Sequence, residues 1–501
     1  MNIEVITGSV TKILCDTLIV NLFEDVIAPG GATGAVNKAL NGQISEVIRD
    51  TAGCGKYGET TVVHTFGALG AKRIILLGLG KRSEFSLDKA RALSAVAMRQ
   101  ARKIHSKTVA TVVHGAGSDG LIDQQAAQAV VEGAVMGLYR FLYYKTNKDS
   151  VPDIETLIII ENDAEKIDAV TEGARQGKII ADSVNYARDL INHPPQYMTP
   201  AKMAWHAGEI AKQYGLAFSV LEKADMAANG MGALLAVAQG SEAPPKLITI
   251  KYQGNPASQE LVAYVGKGIT FDSGGISLKP SQNMDEMKRD MAGGSAVIGA
   301  MLAIAQLKPK VNIVAVVPCT ENMPSGSAFR PGDIITAMNG KTIEVLSTDA
   351  EGRLILADAV TYAQKLGAAR IVDLATLTGA CVVGLGSVYS GVISNNREWC
   401  QAVIEASRQV GEKMWELPND EEYLRQIKSS VADLKNSGGR PAGAITAGLF
   451  IGEFAEKTPW VHIDIAGTSD ADKDKGYNLK GGTGVGVRTL VQLAANLEML
   501  C

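Results

Sequence analysis

The sequence predicts an α/β protein of two domains, the second built on a central mixed, mostly parallel sheet with helices on both faces. Three observations carry this. A chain of 501 residues exceeds what one hydrophobic core ordinarily organises. Short runs rich in β-branched residues alternate with helical periodicities along most of its length. The 53 glycines, against only 5% aromatic residues, suit a fold with many tight strand-to-helix turns.

In the first part, expected strands at 17–23, 60–65, 73–78 and 108–113 accompany a helix at 87–104 that Ser86 caps. The pattern breaks at Pro152. A strand follows at 156–160, then a long helix at about 164–191 that ends in Asn192-His193-Pro194-Pro195. This gives a first domain over residues 1–162, a linker helix over 163–192 and a second domain over 193–501. Within the second domain, strands are expected at 247–252, 261–265, 312–318, 370–375 and 460–465, with helices at 284–307 and 353–366. Asn339-Gly340, between extended runs at 333–338 and 342–346, reads as a hairpin turn. Pro29-Gly30-Gly31-Ala32-Thr33-Gly34 has the glycines of a phosphate loop but no following Lys-Ser or Lys-Thr, so a plain turn is expected.

The bulk properties exclude several classes. A formal net charge of −4 offers no footprint for nucleic acid or an anionic membrane. No stretch approaches about 20 continuous apolar residues, so no membrane span is expected. The start, Met1-Asn2-Ile3-Glu4-Val5, lacks the basic and apolar blocks of a signal peptide. The six cysteines are scattered without a C-x-x-C pair, which points to reduced core thiols and a cytoplasmic location.

The chemistry gathers around Val265-Gly266-Lys267-Gly268-Ile269-Thr270-Phe271-Asp272-Ser273-Gly274-Gly275, expected as a turn that follows the strand 261–265. Lys267 and Asp272 emerge there among four glycines, which suits close approach to a ligand or ion. A second cluster, Thr348-Asp349-Ala350-Glu351-Gly352-Arg353, follows the expected strand 342–347 and precedes a helix. Asp349 and Glu351 stand two apart, so in extended chain both carboxylates face one side. Arg353, in the first helical turn beside free amide groups, makes a place for an anion. A third carboxylate source is Asp290, in the segment Asp285 to Gly294. Both strand-end clusters are expected beyond the carboxyl ends of the central sheet, where ligands bind in such folds.

Four buried carboxylates, Asp272, Asp290, Asp349 and Glu351, would repel one another and protonate unless cations neutralise them. Two divalent ions would do so. The six histidines fall outside these clusters, which leaves an oxygen-rich site that suits manganese, magnesium or zinc. Paired metals deliver an activated hydroxide and polarise a carbonyl, which is hydrolysis without a protein nucleophile. No G-x-S-x-G elbow competes with that reading. Lys279 follows the first motif closely enough to reach the same cleft as an electrophilic group. A two-metal phosphoesterase would use the same ions on a phosphoryl group.

Gly266 to Gly275, Met287 to Gly294 and Thr348 to Leu354 closely resemble signature segments of the leucyl aminopeptidase family, the cytosol aminopeptidases. Asp373-Leu374-Ala375-Thr376-Leu377-Thr378-Gly379-Ala380, Trp415-Glu416-Leu417-Pro418 and His462-Ile463-Asp464-Ile465-Ala466-Gly467 are similar to further family segments. The resemblance implies two zinc or manganese ions. One would be held by Lys267, Asp272, Asp290 and Glu351, the other by Asp272, Asp349 and Glu351, with Lys267 a neutral amine. It implies a metal-bridging hydroxide as nucleophile, Lys279 at the oxyanion, and Arg353 holding a bicarbonate as general base. Met287, Thr376, Gly379 and Ala466 would line the pocket for the substrate's first side chain, with Ser469 near it. The substrates would be peptides with a free N-terminus, leucine and other apolar residues first, and the assembly a homohexamer. The first domain would be macro-like. Some bacterial relatives also bind DNA, so a DNA-binding regulator is the alternative from another class. Ser347 stands where the family more often has asparagine, which is expected to loosen hydrogen bonds beside the second cluster.

Overall fold

A computed structural model describes residues 1–26, 28–51, 53–115, 122–147 and 152–499. The chain forms two compact units, Met1–Asp182 with Lys473–Leu479, and Ser183–Asp472 with Lys480–Cys501. The division falls inside the helix Ile167–Asn192.

The first unit holds a six-stranded sheet of β1 (Asn2–Thr7), β2 (Cys15–Phe23), β3 (Thr60–His64), β4 (Ala71–Gly80), β5 (Thr108–Thr111) and β6 (Thr156–Glu161). Their order is β1-β6-β5-β2-β4-β3, and every pair is parallel except β3 with β4. The runs rich in Ile, Leu and Val at the centre of β2 and β4 bury Leu18, Val20, Ile74 and Leu76 in one core and Ile19, Ile75 and Leu77 in another. That even-odd division is the period-two signature of a sheet covered on both sides. The helix Leu87–Lys103 begins at Ser86, whose hydroxyl accepts the Lys89 N–H at 3.3 Å. The glycine stretch from Pro29 to Gly34 is not a plain turn, because it runs directly into a helix, Gly31–Ala39.

The second unit is organised on a nine-stranded sheet. Its strands are β7 (Ala217–Leu221), β8 (Lys246–Gln253), β9 (Leu261–Gly266), β10 (Gly268–Asp272), β11 (Asn312–Asn322), β14 (Arg370–Ala375), β15 (Ser390–Ser394), β16 (Met414–Glu416) and β18 (Trp460–Asp464). Short strands β12 (Ile334–Thr336), β13 (Thr342–Glu344) and β17 (Leu434–Lys435) make a separate sheet, and β19 (Asp470–Ala471) pairs with β20 (Gly481–Gly482). The main order is β16-β15-β18-β14-β9-β11-β8-β7, with β10 paired to β11. It is mixed and mostly parallel, antiparallel only at β7 with β8, β8 with β11 and β15 with β18. Alternate residues of β9 face opposite layers. Ala263 and Val265 share a core with Leu354, Ile355 and Phe450, whereas the Tyr264 hydroxyl on the other face donates to Leu490 O at 3.0 Å.

Four differences from the expected elements bear on function. First, the segment after β9 is a strand as well as a turn: β10 takes over from β9 alongside β11. The handover explains why β11 runs past Pro318, where a strand end was expected. Val316 is the last partner of β9 and Cys319 the first of β10, so the proline's missing N–H falls where that ladder is already interrupted. A bulge between Ile269 and Phe271 then sets Asp272 opposite Asn322. Second, the expected helix 284–307 is broken. A 3-10 turn spans Met284–Arg289, and the α-helix Ala292–Leu307 starts only after Asp290 and Met291. At the break Gly293 and Gly294 bring the helix start against the strand ends, and Gly294 N–H donates to Lys267 O at 2.7 Å. Third, the second acidic cluster does not follow a strand of the central sheet. It follows β13, in the small separate sheet. Fourth, that strand is three residues long, because Asn339-Gly340 does form the hairpin turn, with Gly340 at φ +88°, and the chain leaves the ladder after Glu344.

Cys15, Cys54, Cys319, Cys381 and Cys400 are free thiols. Cys501 lies outside the described residues. Among the described residues, Met284–Leu307 is long and apolar enough to cross a membrane by length and composition, and 83% of its most apolar window is buried inside the protein.

Asp358 ties the site-bearing helix Gly352–Lys365 to its neighbours. Its two oxygens accept the N–H groups of Leu234 and Met338, each at 2.8 Å, and its side chain is fully buried. Asparagine offers one acceptor and one donor, so Asp358→Asn leaves one buried N–H facing an NH2 group. We expect a loss of about 1–3 kcal/mol, read as a lower denaturant midpoint by circular dichroism. An unchanged midpoint would count against the tie.

Candidate metal centre

Three chain segments converge at the carboxyl ends of β9, β10 and β11. Lys267, in the gap between β9 and β10, is 3% exposed. Its Nζ lies 2.7 Å from Asp290 Oδ2, 2.8 Å from Glu351 Oε1 and 3.1 Å from Thr376 O. Lys279 Nζ lies 2.8 Å from Asp272 Oδ2 and also pairs with Asp349. Asp272 Oδ1 accepts from Gly274 N–H at 2.9 Å and from Asn322 Nδ2 at 2.8 Å. Oxygens of Asp272, Asp290 and Glu351 all lie within 4.8 Å of one another.

Local sequence makes this approach feasible. Gly274 has φ +87°, and a Cβ there would sit 2.5 Å from Ser277 O and 2.9 Å from Asp349 Oδ1. Gly352, first residue of its helix, faces the lysine, and a Cβ there would sit 2.6 Å from Lys267 Cε and Nζ. The break after Arg289 frees Asp290 from the helix ladder and lets its carboxylate meet Lys267. Asp349 and Glu351 do not reach the cluster by extended-chain alternation. Glu351 already has helical dihedrals, φ −76° and ψ −34°, so it turns to Lys267 while Asp349 turns to Lys279.

Four carboxylates thus face two ammonium groups, two negative charges in excess. Burial, followed by the Glu351 charge, pushes Asp272 up to about 6 against the pull of both lysines. Burial likewise raises Asp290 and Asp349, Lys267 and Lys279 respectively opposing it. Burial acts upward on Glu351 too, but Lys267 and Lys279 outweigh it and hold this carboxyl below its ordinary value. Burial pushes both lysines down, yet the carboxylates, led by Asp290 for Lys267 and by Asp272 for Lys279, hold them above the ordinary range. Among these protein groups alone Lys267 is therefore an ammonium. The neutral amine that the resemblance implies requires a cation to take over its charge.

The donor set suits such a cation. It is hard, oxygen-rich and over-negative, and Glu351 Oε2 is buried without a hydrogen-bond partner. Arg353 stands apart from the cluster. It is 8% exposed, its Nη1 donates to Asn436 O at 2.7 Å, and its Nε is buried and unpartnered. Burial lowers it to about 10 against Glu351, Asp464 and Asp349.

A family profile described as the catalytic domain of the cytosol aminopeptidase family matches residues 185–491, and the profile of that family's N-terminal domain matches residues 19–148. The chain belongs to the cytosol aminopeptidase family. It is 48% identical over 500 residues to a probable cytosol aminopeptidase of Alkaliphilus metalliredigens, covering 99% of this chain and 100% of that one. Among solved structures it resembles a mutant of tomato leucine aminopeptidase, at 34% identity and TM-score 0.88 over 99% of this chain and 96% of that one. It also resembles the bottromycin maturation enzyme BotP in complex with Mn, at 32% identity and TM-score 0.85 over 96% and 99%. Membership makes the protein a metal-dependent aminopeptidase, a hydrolase that removes residues from the N-terminal end of peptides.

The remaining residues named from sequence are spread more widely. Thr376 joins the cluster, its hydroxyl donating to Asp290 Oδ1 at 2.7 Å. Met287 is half-buried in the 3-10 turn before Asp290. Gly379 is exposed and opens the helix Gly379–Leu385, and Ala466 N–H donates to Asp464 Oδ1 at 3.0 Å. Ser469 is 1% exposed, and its carbonyl accepts the Thr483 N–H at 2.9 Å. At the departure from the family pattern, the Ser347 hydroxyl accepts the Asp349 N–H at 3.3 Å, while Asn436 holds the Ser347 backbone on both sides.

Sequence reasoning missed the supports. Asn322 bridges Asp272 to Thr348 O, Thr348 bonds Gly274 O and Ser277, and Asn436 bonds Arg353. Asn322 and Asp464 each end a strand at the sheet's carboxyl edge, a positional signal that was available. Asn436, past a two-residue strand, gave none.

Gly352→Ala should displace the Lys267 amine and lower the divalent metal bound per chain, measured by mass spectrometry after dialysis, while leaving the circular dichroism unchanged. Full metal content would show that the contact is not needed.

Proposed function

We propose that this aminopeptidase works with two divalent ions, manganese or zinc. Lys267, Asp272, Asp290 and Glu351 would hold one, and Asp272, Asp349 and Glu351 the other. Bound there, such ions supply Lewis acidity towards a peptide carbonyl and an acidified water. The observation that carries the reading is the pairing of two lysines against four carboxylates in one cluster, buried at Lys267, Asp272, Asp290 and Glu351 and open at Lys279 and Asp349.

The chain's own groups complete the chemistry. Lys279, the more exposed of the two lysines, places a positive charge at the edge of the cluster. It would stabilise an oxyanion as the carbonyl is attacked. Arg353, in the first turn of its helix, would seat a bicarbonate, which when bound offers a general base. Its unpartnered Nε supports that reading. The substrate's free amino group would be recognised within the carboxylate cluster. Thr376, Met287, Gly379 and Ala466 would line the pocket for the first side chain, with leucine and other apolar residues preferred. We place the enzyme in the cytoplasm as a homohexamer, with the catalytic residues in a domain over 193–501 reached through a linker helix over 163–192.

Chelated protein should be inert towards leucine p-nitroanilide and regain activity with manganese, zinc or cobalt, and p-nitrophenyl phosphate should stay uncleaved. Inertness with every metal, or phosphate release without anilide cleavage, would defeat this reading. Glu351→Gln should lower kcat by about 10³-fold or more without unfolding the protein. Near-normal turnover in that variant would rule out a shared ligand role for Glu351.

A further inference from the structure

Asp464 is the last residue of β18 and is 2% exposed. Its carboxylate gathers three donors, two from the distant 377–378 segment and one from Ala466, two residues on. Oδ1 accepts Leu377 N–H at 3.2 Å and Ala466 N–H at 3.0 Å, and Oδ2 accepts the Thr378 hydroxyl at 2.7 Å. Thr378 Oγ1 in turn accepts Cys381 N–H at 2.9 Å and so caps the helix Gly379–Leu385. One residue before Leu377, the Thr376 hydroxyl reaches Asp290 Oδ1 and the Thr376 carbonyl accepts from Lys267 Nζ at 3.1 Å. The 376–378 segment is therefore fastened at one end to the metal-binding cluster and at the other to Asp464, which also holds Ala466.

We propose that Asp464 is a positioning residue that sets specificity: it fixes the spacing between the Thr376 and Ala466 walls of the first-residue pocket relative to Asp290 and Lys267. This rests on the reading that those two residues line that pocket. A carboxylate suits the task because it is acceptor-only and can serve several donors at once. Two of the three donors are backbone groups, so the bonds locate the chain itself and not only its side chains. Removing the carboxylate leaves the buried Thr378 hydroxyl and the partly buried Leu377 and Ala466 N–H groups unmatched, and the two walls lose their common reference. Displacement of this order costs large factors in a reaction that depends on placement, and a pocket selects apolar side chains only as well as its walls fit.

The proposed role is geometric, separate from the charge that Asp464 also presents to Arg353. In Asp464→Asn the amide oxygen still accepts both N–H groups, and the NH2 donates to Thr378 Oγ1 with the direction of that bond reversed. In Asp464→Ala all three bonds are lost.

The test uses the full-length, metal-loaded protein with leucyl and alanyl p-nitroanilides. Asp464→Ala should raise KM for the leucyl substrate about ten-fold or more, lower kcat less, and narrow the leucyl-to-alanyl ratio of kcat/KM. Metal content per chain should stay at the wild-type level, and free L-leucine should bind more weakly by calorimetry. Asp464→Asn should restore KM and the ratio. Thr378→Ala, which cuts one of the three bonds, should shift both in the same direction by less, and Thr378→Ser should restore them. Wild-type KM and ratio in Asp464→Ala would overturn the proposal, as would Asp464→Asn failing as badly as Asp464→Ala, or an activity loss that tracks lost metal. Should Asp464→Ala not fold, the Thr378 pair decides, and an unchanged KM in Thr378→Ala overturns the proposal. An inert wild type would overturn the proposed function as well, whereas an active wild type with unaffected variants overturns this inference alone.

Discussion

Buried like charge governs the second unit. Asp272, Asp290, Asp349 and Glu351 come from three parts of the chain, and Lys267 and Lys279 neutralise only half of what they carry. Left to themselves such carboxylates would protonate or move apart, and the upward push on Asp272 and Asp290 is that tendency expressed. A fold that keeps them together must supply rigid supports on every side. It does so with backbone and side chains together: Gly274 N–H and the Asn322 amide on Asp272, the Thr376 hydroxyl on Asp290, and the start of the Gly352–Lys365 helix at Glu351. The glycines at 274 and 352 matter because anything larger would occupy the space the charged groups use.

The sheet meets this constraint by irregularity at one place. β9 gives way to β10 along β11, and the interruption leaves Lys267 between two strands, outside the ladder with β11. The bulge two residues later sets Asp272 beside Asn322. Directly opposite, the Ala292–Leu307 helix starts late, so that Asp290 lies outside it. Each is a departure from regular geometry at the point where a side chain must be re-aimed, where strained or irregular backbone is expected to concentrate.

Much of this was legible in the residues. Periodicity located the central strands to within a few positions, because β9, β14 and β18 are apolar runs buried on both faces. Ser86 and Asn339-Gly340 announced a cap and a turn through local chemistry that tertiary context leaves intact. The failures share a cause. The break at Asp290 is invisible to a helical pattern, since Ala292, Ala296 and Ile298 continue it without a proline. What stops the helix is packing of Gly293 and Gly294 on strand ends far away in sequence. Pro318 looked like a strand end because sequence does not show that its neighbour has a gap in the same place. The supports Asn322, Thr348 and Asn436 are ordinary polar residues, and their importance lies in which groups they meet: backbone for all three, and the Asp272 carboxylate for Asn322.

The division of labour between the two lysines follows from burial. Lys267 is almost wholly enclosed and bonded to Thr376 O, whereas Lys279 retains 22% exposure on its side chain and stands on a loop. An enclosed ammonium between two carboxylates is an obstacle to a cation, and giving up its proton is the route by which it becomes a donor instead. A half-open ammonium can remain charged and face whatever enters the cleft. Arg353 is a third case: enclosed, unable to lose its proton at ordinary pH, and with Nε unpartnered. On the proposed function, environment would separate these three cationic residues into a metal donor, an oxyanion partner and an anion seat, with no difference in formal charge to tell them apart in the sequence.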